Sequence, residues 1–347
     1  MAAPRSILFI RLSAIGDVIM ASALIPVFRA AFPDARLAWL ADASTAELLQ
    51  DNPKLDRVLI WPRRRWSGLF RAGQYRQLRQ EFGQLLQELR EPRFDWVIDL
   101  QGLIKSGLWA WLSGSPTRIG LGSREGSQWL MNRVIDRNDP RLLIGIEYRK
   151  LAEELGLNLD SFAMDIAVPP ALRTAMAQRL KELGAAGPLT VLAPFTTRPQ
   201  KHWLDEHWAE LAKMVIARGD AVVLLGGAGD RQRAGTIAAA APGSIDLSGS
   251  TSLLQAAAVI AGAQRVIGVD TGLTHLGIAL RVPTLALFGS TRPYLDTGVD
   301  FARVLYANLP CSPCHRRPTC AGDFTCMKQH TAAGVLAAAD LLERPTP

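Results

Sequence analysis

Apolar residues in this chain come in short dense runs, not in strict alternation with polar ones. Such runs fall at residues 6–12, 35–40, 57–61 and 95–100, and again at 189–193, 222–225, 266–269 and 283–288. Runs of this length predict strands buried on both faces, as in a parallel sheet. Helix-compatible stretches alternate with them: one reaching about residue 32 after a turn at 13–17, and others at 44–50, 74–90, 145–155, 171–183, 251–262 and 331–342. Shorter strands are expected at 117–120 and 245–247. The alternation predicts an α/β chain built on doubly wound parallel sheets. Residues 162–170 end in Pro169-Pro170 and read as a linker. Two Rossmann-like domains are therefore expected, 1–168 and 169–347, with a cleft between them.

The second half holds the most informative stretch, VIGVDTGLTHLGIALRVPTLALFGSTRP at 266–293. It reads as strand, tight turn, helix from about 273 to 280, and a second strand closed by Gly289-Ser290-Thr291. A helix N-terminus at the carboxyl edge of a parallel strand offers free N–H groups to a phosphate or pyrophosphate. Asp270, Thr271, Gly272 and His275 occupy that turn; the alternative is that Asp270 and Thr271 only cap the helix. Thr196, Thr197 and Lys201 follow the first strand of the same half. Two hydroxyls and an ammonium there suit a leaving diphosphate.

In the first half, Asp17 lies at the first strand-to-helix turn, where a carboxylate could accept a proton or merely cap its helix. Residues 62–73 (PRRRWSGLFRAG) interrupt the pattern and read as a loop. Arg63, Arg64 and Arg65 there form a cationic patch suited to carboxylates and phosphates, unless they are only a solvated charge run. Trp66 among them could rest on a membrane interface or a sugar face. Lys105 and Arg124 sit on loops that could extend the anion-binding surface. His202, His207 and His330 read as surface or packing residues.

Charge and composition narrow the classes. A net charge of +7 and a pI near 9.5 suit an anionic partner. Charged residues at 20% and hydrophobic ones at 48% exclude a disordered or fibrous chain. No apolar run reaches membrane-spanning length, and Arg11 interrupts the first run before a signal segment could form. A cytoplasmic location is the expectation. Neither half shows G-x-G-x-x-G after a strand, which disfavours a dinucleotide oxidoreductase. Cys311, Cys314, Cys320 and Cys326 have the spacing C-x2-C-x5-C-x5-C. The first pair is a zinc half-site, so a structural zinc is one reading; reduced thiols or a local disulfide are the others.

Four segments together resemble the lipopolysaccharide heptosyltransferases, the ninth glycosyltransferase family. They are RLSAIGDV at 11–18, DLQGLIKSGL at 99–108, FTTRPQKHW at 195–203 and VDTGLTHLGIAL at 269–280. The first two look most like the type that adds the first heptose. The resemblance implies a GT-B fold, an ADP-L-glycero-D-manno-heptose donor held mainly by the C-terminal domain, and a Kdo2-lipid A acceptor held by the N-terminal one. It implies Asp17 as general base. Thr196, Thr197, Lys201, Asp270, Thr271, Gly272 and His275 would be donor contacts. Arg63, Arg64, Arg65, Lys105 and Arg124 would meet the acceptor. Transfer would be inverting, with no cofactor required for the chemistry. Type I members carry a Glu after the strand at 222–225; here the loop is GGAGDRQRA and Asp230 is the nearest acid. The expected setting is the cytoplasmic face of the inner membrane, with salt-sensitive peripheral contact and no nucleic-acid partner. A transferase for a later heptose or another nucleotide sugar, and a non-catalytic anionic-lipid binder, remain as alternatives.

Overall fold

Each of the predicted apolar runs is a strand in the computed structural model, which describes residues 3–91, 93–315 and 317–345. The chain divides into two compact units, Met1–Arg141 with Gly145–Ala167, and Leu142–Ile144 with Val168–Pro347. The first contains β1 (Ser6–Ile10), β2 (Arg36–Asp42), β3 (Arg57–Trp61), β4 (Trp96–Asp99), β5 (Thr117–Leu121) and β6 (Arg133–Ile135). They form one sheet in the order β3-β2-β1-β4-β5-β6, every pair parallel.

The second unit contains β7 (Leu189–Ala193), β8 (Ala221–Leu224), β9 (Ile245–Asp246), β10 (Arg265–Val269), β11 (Thr284–Phe288) and β12 (Ala302–Tyr306). Its sheet runs β12-β11-β10-β7-β8-β9, again all parallel. Counted from its own first strand, each unit has the order 3-2-1-4-5-6. The strand order reverses between β1 and β4 in one unit, and between β7 and β10 in the other. Ligands of open α/β sheets bind outside the carboxyl ends of the strands at that reversal.

The dense runs follow from the two-sided burial. Along β1, Ile7 and Phe9 enter one apolar cluster while Leu8 and Ile10 enter another on the opposite face. Leu37, Trp39 and Ala41 of β2 divide from Ala38 and Leu40 in the same way. Successive side chains of a strand point to opposite faces, so a sheet covered by helices on both sides needs apolar residues at every position.

Three local expectations change. The stretch at 62–73 is not a loop: Arg63–Arg71 is a helix, and a turn leads to a second helix, Tyr75–Arg90. Its amphipathic period was hidden by the arginine run, whose three residues are all exposed while Leu69 is buried. The helix expected to reach about residue 32 is two, Ile15–Ala21 and Leu24–Ala31, and that over 44–50 shrinks to Ala43–Ala46. β6 and β12 were not foreseen. Both carry exposed residues and pair on one side only in the sheet order, so neither needs an unbroken apolar run.

The turn after β4 is held by one carboxylate. Asp99, fully buried, accepts from the backbone N–H groups of Gln101 (3.0 Å) and Gly102 (3.1 Å) and from the Ser106 hydroxyl (3.0 Å). Burial pushes its carboxyl above the usual range, while these donors and the charge of Arg11 pull it back. Gly102 has φ +67°, and a Cβ there would stand 2.5 Å from the Leu121 carbonyl oxygen, so no side chain fits. Asp99→Ala orphans several buried donors and is expected to cost about 2–3 kcal/mol of stability. Urea denaturation measures this; a loss below about 0.5 kcal/mol would show that water replaces the carboxylate.

Candidate functional site

At the β1/β4 reversal of the first unit stand Arg11, Asp17 and Gln101. The Arg11 side chain is 5% exposed although it is charged. It donates to the Leu100 carbonyl (2.8 Å) and forms an ion pair with Asp17. Asp17, in the first turn of helix Ile15–Ala21, also accepts from the Ala14 N–H (3.3 Å). It therefore both caps its helix and pairs with a buried cation, and its side chain keeps 36% exposure. A carboxylate that is fixed yet open to solvent can accept a proton from an incoming hydroxyl. Gln101 accepts from the Leu12 N–H (3.0 Å), tying the ends of β1 and β4 together. Glu147 stands in the same electrostatic neighbourhood. Burial raises its pKa, Arg137 lowers it, and Asp17 raises it further.

The candidate acceptor residues of this unit are only partly assembled. Arg63 lies 3.5 Å from Asp42, which ends β2. Lys105 is not on a loop but in the first turn of helix Ile104–Leu112, and its pKa is lowered, first through burial and then through the charge of Arg63. Arg124 is exposed, and its backbone N–H donates to Gly102 O (3.0 Å), placing it beside the β4 turn. Arg65 turns elsewhere, to Glu81 at 2.7 Å, and Arg64 is exposed. Trp66 is not a free aromatic surface. It packs against Phe82 and Trp109 at ring distances of 5.8 and 6.2 Å and donates Nε1–H to Glu81.

At the β7/β10 reversal of the second unit, the turn after β10 meets the loop after β7. Lys201 Nζ donates to Asp270 Oδ2 at 2.5 Å, the two side chains being 16% and 15% exposed. The Thr291 hydroxyl donates to the same oxygen (2.6 Å). His275 Nε2 stands 3.5 Å from Asp270 Oδ1, and the Tyr294 hydroxyl 2.8 Å from His275 Nδ1. Burial by itself would raise the Asp270 carboxyl; the hydrogen bond from His275 and the Lys201 charge outweigh it and hold the group far below the usual carboxylate range.

Helix Gly272–Ala279 begins directly after this carboxylate. Its N-cap, Thr271, makes no side-chain cap bond, so Asp270 and Thr271 are not simply capping residues. Thr274 turns its hydroxyl back to Val269 O (2.6 Å). Gly268 makes that possible, since a Cβ there would lie 2.2 Å from the Thr274 oxygen. A helix N-terminus whose first N–H groups have no intrahelical acceptors suits a phosphate. Thr196 is half-buried and Thr197 exposed on the loop after β7.

His275 is 3% exposed with both ring nitrogens near protein groups. Its ring lies between Asp270 and Tyr294, beside the turn where the pyrophosphate contact is expected. Sequence reasoning missed Arg11, Thr291 and Tyr294. Arg11 was hidden because a charge inside an apolar run read as an interruption. Asp230 accepts from the Gly227 N–H (2.8 Å) and closes its own turn. His202 does have a partner: its Nδ1 lies 2.7 Å from Arg233 Nη1.

Cys311, Cys314, Cys320 and Cys326 come together in the segment after β12. All four are free thiols lining one pocket of about 260 Å³. Among the described residues, no group of three or more His, Cys, Asp or Glu is placed to hold a metal ion. Cys326 is part of the second unit's apolar core, and burial pushes the thiols of Cys314 and Cys326 up. The segment serves as a brace. His315 N–H donates to Ser290 O (2.5 Å), Ser312 donates to Gly289 O, and Gln200 donates to His315 O (3.0 Å). These bonds fix the two loops that carry Lys201 and Thr291.

Two Rossmann-type sheets, each with a charged cluster at its reversal point, are the parts of a GT-B fold, the fold of the similar heptosyltransferase structures. The sequence profile described as "Glycosyltransferase family 9 (heptosyltransferase)" matches residues 82–324. The chain is 34% identical over 322 residues to lipopolysaccharide heptosyltransferase 1 of Pseudomonas aeruginosa, covering 90% of this chain and 87% of that one. Two solved structures of E. coli heptosyltransferase WaaC are also similar. The one with ADP has a TM-score of 0.74 at 26% identity, covering 96% of this chain and 99% of that chain. The one with ADP-2-deoxy-2-fluoro heptose has 0.72 at 25%, with the same coverage. The chain belongs to glycosyltransferase family 9, the heptosyltransferases, and is a glycosyltransferase.

Proposed function

We propose that this enzyme transfers L-glycero-D-manno-heptose from ADP-heptose to Kdo2-lipid A, the first heptose of the lipopolysaccharide inner core. The observation that carries the donor side is the Lys201–Asp270 pair beneath the open N-terminus of helix Gly272–Ala279. The similarity to a heptosyltransferase 1 and to a structure holding ADP supports the choice of sugar and nucleotide.

In the proposed reaction an acceptor hydroxyl attacks the anomeric carbon of the heptose, and its proton passes to Asp17. The bond from that carbon to the diphosphate oxygen breaks, ADP leaves, and the configuration inverts. The helix N–H groups and Lys201 stabilise the charge growing on the diphosphate, with Thr196, Thr197, Thr271 and Gly272 as further donor contacts. His275 and Tyr294 hold Asp270, and Asp270 holds the ammonium. Arg63, Arg64, Lys105 and Arg124 meet the carboxylates and phosphates of the acceptor, and Arg65 joins them by releasing Glu81. The +7 charge supports a place at the anionic cytoplasmic face of the inner membrane. No helix among the described residues is long and apolar enough to cross a membrane.

The deciding measurement is a transfer assay with ADP-heptose, offering Kdo2-lipid A and its singly heptosylated product as rival acceptors. Kdo2-lipid A is expected to be used, with inhibition by ADP and none by UDP. Preference for the heptosylated acceptor, or equal inhibition by both nucleotides, would overturn the assignment.

A further inference from the structure

The first unit carries a pocket of about 830 Å³ between the helix pair Arg63–Arg71 and Tyr75–Arg90 and the helix Ile104–Leu112. That volume lies in the range of ligand sites, roughly 300–1,000 Å³. Its floor is aromatic, with Trp66, Phe82 and Trp109 in mutual ring contact at 5.8–6.2 Å. Its wall and rim carry four cations, Arg63, Arg71, Arg79 and Lys105, and no carboxylate lines it.

The surface around the pocket is apolar where a solvated surface would be polar. Ile104, Leu108 and Trp111 are 40%, 44% and 55% exposed. Their spacing of i, i+4 and i+7 places them on one face of their helix. At the turn joining the helix pair, Phe70 and Tyr75 are 60% and 59% exposed and meet edge to face at 5.6 Å. Exposed apolar patches of this kind, bordered by charge, mark interaction sites. Aromatic and basic residues together on a helical surface suit the headgroup boundary of an anionic bilayer.

We infer that this pocket takes an acyl chain of an anionic membrane phospholipid, with the lipid phosphate on the arginine and lysine rim. Charge complementarity selects the occupant: Arg63 already has Asp42 beside it, but a neutral partner would leave the charges of Arg71, Arg79 and Lys105 unanswered, and a soluble anion would leave the aromatic floor and the exposed stripe unused. The site borders the proposed acceptor contacts, with Arg63 and Lys105 common to both, while Arg71, Arg79, the aromatic floor and the exposed stripe belong to the lipid site alone; it does not depend on which sugar is moved.

The test uses the full chain and vesicles of phosphatidylglycerol or phosphatidylcholine whose acyl chains carry bromine, a contact quencher of tryptophan. Phosphatidylglycerol vesicles are expected to quench emission and phosphatidylcholine vesicles are not. Leu108→Glu sets a carboxylate in the pocket and is expected to weaken binding about tenfold, a change of about 1.4 kcal/mol. Phe70→Ser, on the exposed turn, is the second variant, should the first not fold. Arg71→Glu with Arg79→Glu is expected to abolish the preference for phosphatidylglycerol. ADP affinity, read on the other unit, should be unchanged in all of them. Vesicle binding without quenching would mean a purely electrostatic contact and would overturn the inference. So would quenching unchanged in Leu108→Glu and Phe70→Ser, or a dimer of the free chain that these variants break in the absence of quenching.

Discussion

Asp17→Asn is expected to lower the turnover of heptose transfer by about 10²–10⁴-fold, the usual contribution of a positioned general base. The amide keeps an oxygen for the Ala14 N–H and nearly the same shape, but it cannot take a proton from the acceptor hydroxyl. The substitution also removes the partner of Arg11, which is 5% exposed. A stability loss must therefore be separated from a chemical one. Single-turnover rates at saturating donor, with thermal unfolding of the same preparation, make that separation. Turnover should fall while the Michaelis constant for the donor and the affinity for ADP stay near those of the parent, the pattern of a group that acts in the transition state. Turnover within a few-fold of the parent would remove Asp17 from the role of base.

Lys201→Met should act through Asp270. In the parent, the ammonium, the Thr291 hydroxyl and His275 together stabilise a carboxylate of which only 15% is exposed. Removing one partner of such a buried pair strands the other charge, and a cost of about 3–5 kcal/mol is expected. The double variant Lys201→Met with Asp270→Asn should recover most of that loss, because no buried charge is left without its counterion. A double-mutant cycle by urea denaturation gives the coupling directly. If Lys201→Met costs less than about 1 kcal/mol, the pair behaves like a solvent-screened surface bridge. ADP affinity, measured by calorimetry, should fall in both variants, since the ammonium is lost from the phosphate site in each. Unchanged affinity in the double variant would confine Lys201 to a structural role.

The stretch at 266–293 was legible because its signals are local. The strand, the Gly272 turn and the following strand are each specified by residues adjacent in sequence. Asp17, Lys201 and Asp270 were singled out for the same reason, each lying on the turn or loop that follows an apolar run. Tyr294 and Thr291 could not be found so, because they reach His275 and Asp270 only through a loop folded back over the sheet. The helix at Arg63–Arg71 was misread as a loop because its arginines masked the apolar face that packs on Phe82 and Trp109. The cysteine spacing left three readings open, and the bracing of the two site loops by Ser312, His315 and Gln200 could not be read from it at all.

The sequence by itself determined the number of sheets, their parallel character and the turns on which the charged residues stand. Those properties follow from burial on both faces and from turn chemistry, which act over a few residues. Only the tertiary structure decided which charges pair. The Lys201 ammonium is 69 residues from Asp270 along the chain, and Arg11 is 89 from the Leu100 carbonyl it caps. In both units the parallel crossovers bring together strand ends that are remote in sequence. Burial then makes each pairing strong, because a charge removed from water must find its counterion or hydrogen-bond partner within the fold.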